Sequence, residues 1–230
     1  GLVGSEMCIR DSPGALIVFD KVVSSDPQFK KFWLLHSIEE PVIEGNRFTV
    51  RRTKNGDTGM LQNHVLLPET GNAQIEKVGG KGKEFWVFGT NYPNDALPNR
   101  PDDANERGAW RVEVSPAAPA TENYFLNVMQ VADNTCKQMN NVKRIDAEKV
   151  VGVQIADRVV TFSRDSRPLS GKVDMKVDGN AAMKFVITNL IPGTWQIKKD
   201  GKVYIPAMEV RSDDGILSFE GTAGHYEFLR

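Results

Sequence analysis

The sequence predicts an all-β chain, an antiparallel β-sandwich or layered antiparallel sheets with almost no helix. Three observations carry that prediction. Short runs rich in Val, Ile, Phe and Trp are separated by turn signals roughly every 8–12 residues. Apolar and charged side chains take turns in Trp110-Arg111-Val112-Glu113-Val114, as they do in a sheet with one wet face. Helical periodicity is nearly absent, with one candidate turn at Asp146–Val150 after Arg144.

The strands follow in order. Ala15–Val23 (ALIVFDKVV) is β-rich and lies between Pro13-Gly14 and Ser24-Ser25-Asp26-Pro27. Phe29–Ser37 (FKKFWLLHS) comes next and reads as its antiparallel partner. Arg47–Arg52 and Met60–Leu67 flank Lys54-Asn55-Gly56-Asp57, and an Asn-Gly pair between two such runs is the strongest short-range hairpin signal. Ala73–Val78, Glu84–Phe88, Trp110–Ser115 and Tyr124–Ala132 continue the series, the last read as more fully buried through Phe125, Val128 and Val131. Val150–Ile155, Arg158–Ser163, Lys184–Thr188, Thr194–Lys198, Lys202–Ile205, Ile216–Phe219 and Tyr226–Leu229 complete it. A polar seam at Asp133–Arg144 divides a main antiparallel region, residues 13–135, from a continuing or smaller C-terminal β subdomain, residues 136–230.

The first twelve residues, GLVGSEMCIRDS, lack periodicity and the charged and apolar regions of a signal peptide. Back-translation of Glu6–Ser12 fits the end of a transposon-type sequencing adaptor. The stretch is therefore expected to be a translated library scar and an unpacked tail, with the gene cut just before Pro13. Setting aside Glu6, Arg10 and Asp11 leaves acidic and basic residues balanced, so composition supports neither a nucleic-acid footprint nor a polybasic membrane patch. No apolar run approaches the roughly 20 residues of a spanning helix. Discounting Cys8 leaves Cys136, which excludes an intrachain disulfide and a thiolate metal cluster.

The chain has three histidines, His36, His64 and His225. If the first two strands pair, Asp20 and His36 come close, as an orienting pair for a base or metal ligand, or as a buried histidine tying two strands together. His64 falls on the polar side of its strand and His225 near the C-terminus. No spacing supplies the three convergent ligands of a metal centre. Nucleophile motifs are absent, and Gly79-Gly80-Lys81-Gly82-Lys83 lies between strands with no helix to lend its dipole, so it reads as a hairpin tip.

The segment Gly89–Gly108 is the long exception, rich in Pro and Asn, and connections of that length are commonly functional or disordered. Phe85, Trp86 and Phe88 lead into Asn91, Tyr92, Asn94, Asn99 and Arg100. Aromatic faces beside amide and guanidinium donors suit a carbohydrate, with rings stacked on sugar faces and an Arg fork on a carboxylate or sulfate. Asn91, Tyr92 and Arg100 are the candidate substrate-binding residues; the alternative is a solvated loop anchored by its aromatics.

Three blocks, ALIVFDKVVSSDPQFKKFWLLHSIEEPVIEG, GAWRVEVSPAAPATENYFLNVMQVAD and LIPGTWQIKKDGK, resemble the C-terminal β region of heparinase II/III-like polysaccharide lyases. The resemblance covers essentially everything after the scar. It implies a bacterial, periplasmic or secreted protein in which an N-terminal α/α toroid joins a large β domain. Such enzymes cleave uronate-containing polysaccharides by β-elimination between the two. It places the catalytic Asn, Tyr and His, and metal ligands where a metal is present, upstream of VFDKV. It therefore implies no catalytic residue and no cofactor within this chain, and it assigns Asp20 and His36 to the strand framework. It also implies an apolar surface where the toroid docks. The alternative is a non-catalytic carbohydrate-binding or structural β-sandwich.

Overall fold

The computed structural model describes residues 14–93, 108–133, 136, 139–165 and 167–230. Residues 1–12, expected to be a scar and an unpacked tail, most of the Gly89–Gly108 connection and Arg100 lie outside the described residues. The described residues form strands, turns and coil with no helix, and none could make a membrane-spanning helix. The chain divides into two compact units, Gly1–Met139 and Asn140–Arg230.

In the first unit, β1 (Ala15–Val23), β10 (Glu122–Asp133), β5 (Asp57–Leu67), β4 (Arg47–Lys54) and β3 (Val42–Glu44) form a five-stranded sheet in that order. A three-stranded sheet of β2 (Trp33–Ser37), β9 (Trp110–Pro116) and β6 (Ala73–Gly79) faces it. A small hairpin, β7 (Trp86–Val87) with β8 (Thr90–Asn91), completes the unit. The core between the two larger sheets gathers Phe48, Val65 and Phe125 from one side and Val112 and Val114 from the other. The predicted alternation in β9 holds: Val112 and Val114 are buried, while Arg111 and Glu113 sit on the opposite, partly exposed face. The predicted Asn-Gly turn joins β4 to β5, with Asn55 at φ 56° and Gly56 at φ 88°, the two left-handed positions a type I′ turn requires.

Three expectations are corrected here. β1 pairs with β10, and β2 pairs with β9 in the facing sheet, so the first two strands are not neighbours. The physical reason lies in the connection. Asp26 Oδ1 accepts from the Gln28 backbone N–H (2.8 Å), turning the chain, and the buried Lys31 Nζ donates to the Ala120 carbonyl (2.5 Å) and the Phe29 carbonyl (3.3 Å). These bonds carry the chain from one sheet to the other. Val131, read as buried, is exposed, one strand-step from the buried Gln130. At Asp146–Val150 there is a tight connection rather than a helical turn, with the Ala147 N–H donating to the Val150 carbonyl (3.0 Å).

The second unit is a sandwich of nine strands. One sheet runs β11 (Val142–Asp146), β12 (Val150–Ile155), β13 (Arg158–Ser163), β15 (Met183–Ile187), β18 (Leu217–Gly221). The other runs β14 (Val173–Val177), β19 (Gly224–Leu229), β16 (Gly193–Lys199), β17 (Lys202–Val210). Pairing is antiparallel except for β13 with β15, which run parallel because the chain between them crosses to the facing sheet to form β14. Trp195, Tyr226, Phe185 and Phe228 are completely buried, with Phe185 stacked on Phe219 at 4.8 Å between centroids. The polar tips inside this core are satisfied: Trp195 Nε1 donates to the Ile191 carbonyl (3.0 Å) and Tyr226 Oη to the Thr222 carbonyl (2.6 Å). Burial pushes the Tyr226 hydroxyl up to about 12.

Candidate functional site

The aromatic stretch predicted to contact a ligand is built on a glycine-rich approach. A Cβ at Gly80 would lie 2.8 Å from the Trp110 indole, so only glycine lets the backbone cross that ring. Gly79–Lys83 is thus packed against the sheet at one end rather than a free tip. The Lys83 N–H donates to the Gly80 carbonyl (2.8 Å), and the chain then enters the β7–β8 hairpin.

Asn91 holds that hairpin closed. Its Oδ1 accepts from the Phe85 N–H (2.8 Å) and its Nδ2 donates to Glu84 Oε2 (3.3 Å), which also accepts from the Gly82 N–H (2.9 Å). The backbone N–H groups of Glu84 itself, then of Gly82, and the Asn91 amide hold the Glu84 carboxyl below its ordinary range. From the sheet, Arg111 Nη1 donates to the Trp86 carbonyl (2.6 Å) while its Nε pairs with Glu113 (2.6 Å). The short hairpin is therefore fixed by side chains at its base, where two ladder residues per strand alone could not hold it.

Its tip is a two-residue turn, Phe88-Gly89, with φ of 48° and 86°. Asn, Asp or Gly ordinarily fills the first of these positions. A phenylalanine there costs about 1–2 kcal/mol of backbone strain. The side chain is also fully exposed, at 102% of its reference accessibility, and buries nothing that would offset the strain. Tyr92, at the base of the hairpin opposite Phe85, is 54% exposed, Val87 is exposed, and Lys83 Nζ lies 5.6 Å from the Trp86 ring centre.

Of the three predicted binding residues, then, Asn91 has both ends of its amide engaged inside the hairpin, Tyr92 stands at the surface, and Arg100 falls outside the described residues. Phe88 was legible as one of several aromatics, but its strained turn was signalled only by Gly89 after it. Arg111 read as an alternating surface residue, and nothing local marked its reach to Trp86.

The titratable pair Asp20 and His36 is not assembled. His36 is exposed in β2, opposite Arg111, and Asp20 is half-buried in β1, opposite Phe125. Both readings of the pair, a catalytic orientation and a buried strand tie, are overturned by the separation of β1 from β2. Burial raises the Asp20 carboxyl above its ordinary range. His36 instead lines a shallow cleft of about 430 Å³ with Leu35, Glu39, Val50, Arg52 and Leu61. His64 is held neutral, down to about 4, by burial first and then by the charge of Arg47. Asn46 Nδ2 donates to its Nε2 (2.9 Å), a bond that the protonated ring could not accept. Among the described residues no three His, Cys, Asp or Glu side chains converge on a metal position, so no step is assigned to a metal here.

Inside the first unit, Asn63 Nδ2 donates to Asn127 Oδ1 (2.9 Å), both residues fully buried. The remaining amide atoms, Asn63 Oδ1 and Asn127 Nδ2, have no partner. An amide pair in a sandwich core is stabilising only while paired.

Residues 144–230, less than half of the chain, match the family model of the heparinase II C-terminal domain, so this part of the chain is similar to that domain. The matched residues lie in the second unit. No curated protein matches the chain.

Proposed function

We propose that the chain is the β-sheet part of a polysaccharide lyase that cleaves uronate-containing polysaccharides by β-elimination. The single observation that carries this reading is the family match at residues 144–230, and the all-β architecture supports it. In that reaction a base removes the C5 proton, the uronate carboxylate is neutralised as the negative charge develops, and the C4–oxygen bond breaks to leave an unsaturated uronate. The base and acid come from an N-terminal α/α toroid and early β strands, and no catalytic role falls on the residues described here. The chain forms one wall of the glycan cleft, in a periplasmic or secreted protein, and offers the sugar Tyr92 and, from the following connection, Arg100.

The test is direct. The chain joined to an N-terminal α/α toroid domain of a heparinase II/III-like lyase is incubated with a panel of uronate polymers while ultraviolet absorbance of the unsaturated product is followed. A rise with at least one polymer is expected; no rise across the panel overturns the lyase reading. A second reading, a non-catalytic carbohydrate-binding module, is favoured by the exposed Phe88 and Tyr92. It predicts glycan binding by this chain alone, lost when Tyr92→Ala and Arg100→Ala are combined.

A further inference from the structure

The geometry points to the Phe88 hairpin tip as a glycan-gripping element. In it the exposed phenyl ring stacks on a pyranose face while Lys81 and Lys83 pair with the carboxylates of a uronate chain. The assignment rests on the carbohydrate reading above and adds to it the residues that make the contact.

Two independent features converge there. The first is conformational. Phe88 occupies a left-handed position at φ 48°, where glycine or asparagine would be relaxed, and the turn nevertheless carries a bulky ring. That ring is fully exposed, so it contributes nothing to the core that would explain its presence. Strain held by a surrounding structure that over-determines it is a mark of a ligand contact. Here the Asn91 clasp and the Arg111 anchor do the over-determining from below. A ring presented on a rigid mount loses little freedom when it meets its partner, which is the condition for a flat hydrophobic contact to yield affinity.

The second is electrostatic. Lys81 and Lys83 are exposed on the approach to the hairpin, and Lys83 already lies over the Trp86 ring. The one acid in this stretch, Glu84, engages its carboxylate with the Gly82 N–H and the Asn91 amide at the surface. Two lysines against one hydrogen-bonded carboxylate leave the approach to the hairpin, beside the Trp86 ring, net positive. A polymer with an apolar sugar face and repeating carboxylates complements both features, whereas a neutral glucan complements only the ring.

The experiment measures retardation of the whole chain in native gels containing alginate, heparin or a neutral β-glucan, alongside thermal melts. Phe88→Gly is the decisive variant because glycine suits φ 48°, so its melt is expected to be unchanged or raised. Its affinity for the uronate polymers is expected to fall about tenfold, the size of one lost ring contact, and Phe88→Trp is expected to restore it. Lys81→Ala with Lys83→Ala should weaken uronate binding and its salt dependence and leave any binding to the β-glucan unchanged. Wild-type affinity in Phe88→Gly overturns the assignment, as does failure of the unaltered chain to bind either uronate polymer. Equal binding of the neutral and charged polymers overturns the lysine half. Formation of unsaturated uronate by the toroid-bearing protein is scored separately, so a lyase with a dispensable tip remains distinguishable from a chain that is no lyase.

Discussion

The two units solve the same problem, burying one face of each sheet, with different interiors. The second closes on a continuous apolar core in which five aromatic rings, Trp195, Phe185, Phe219, Tyr226 and Phe228, interlock and the polar tips of Trp195 and Tyr226 bond to carbonyls. The first has a smaller buried core, an amide pair placed within it, and aromatic side chains turned outward at Phe29, Phe32, Phe88 and Tyr92. Rings placed inside stabilise a fold; rings placed outside are available for contact. Tyr204 is the partly exposed ring of the second unit, so the contrast is one of degree, and it supports the proposal of shape-holding in the second unit and recognition in the first.

The largest effect should come from the second unit. Trp195→Ala removes a fully buried indole and its bond to Ile191, at a cost of about 3–5 kcal/mol in denaturant unfolding, with loss of amide protection in β16 and β19. A cost below about 1 kcal/mol would break the comparison, because it would mean that the ring sits in a core able to collapse around its absence.

Next is the amide pair of the first unit. Asn127→Leu leaves Asn63 Nδ2 buried without its acceptor, which should cost about 1–3 kcal/mol by urea unfolding. Replacing both, Asn63→Leu with Asn127→Leu, should recover most of that loss, since two apolar groups leave no orphan. A double variant worse than the single would show that the site cannot repack around two leucines, and that the amide pair is set by shape as well as by its bond.

Much of this architecture was legible in the sequence, and the failures share a cause. Alternation in Trp110–Val114, the Asn55-Gly56 turn and the apolar runs of β12 and β13 are local signals, and local signals located the strands. Which strand lies beside which is not local. β2 was assigned to β1 by adjacency, whereas the outcome was decided by Lys31 and Asp26, whose bonds to Ala120 and Gln28 carry the chain across the sandwich. The parallel β13–β15 pair is non-local in the same way, since it depends on β14, Val173–Val177, crossing to the facing sheet between them. At the candidate site composition supplies the residue types, and the fold supplies their partners. Asn91 looks like a ligand donor in the sequence and is a structural clasp in the fold, since an amide's role depends on the partners that surround it.

A smaller effect separates the units by pH. His64 in the first unit has its folded value lowered to about 4 from an ordinary 6.5. The unfolded chain therefore takes up a proton between those values while the folded chain does not, and stability falls as pH drops through that window. Because the ring is partly exposed, the loss should be on the order of 1–2 kcal/mol rather than the full shift. Melts at pH 7 and pH 4.5 should show it, and His64→Gln, which keeps an acceptor for Asn46, should flatten the dependence. An unchanged slope in that variant would assign the acid sensitivity to other groups.

The smallest effect is confined to the hairpin and tests whether the recognition element is rigid. Glu84 has a depressed folded value, so its contribution is present above its ordinary value of 4.5 and is lost as pH falls through the lower folded value. Protonation removes charge from the acceptor of the Gly82 N–H and the Asn91 amide, and the clasp loosens. Asn91→Ala should produce the same loosening at neutral pH. Both should appear as lower protection factors at Phe85 and Tyr92, with exchange referred to the intrinsic rate at each pH, and with β16 and β19 protection unaffected. Fast exchange at Phe85 in the unaltered chain at pH 7 would show a mobile tip, and a mobile tip gives no reason for a strained phenylalanine at position 88. Slow exchange there, lost on Asn91→Ala, would show that the strain is held in place by the clasp beneath it.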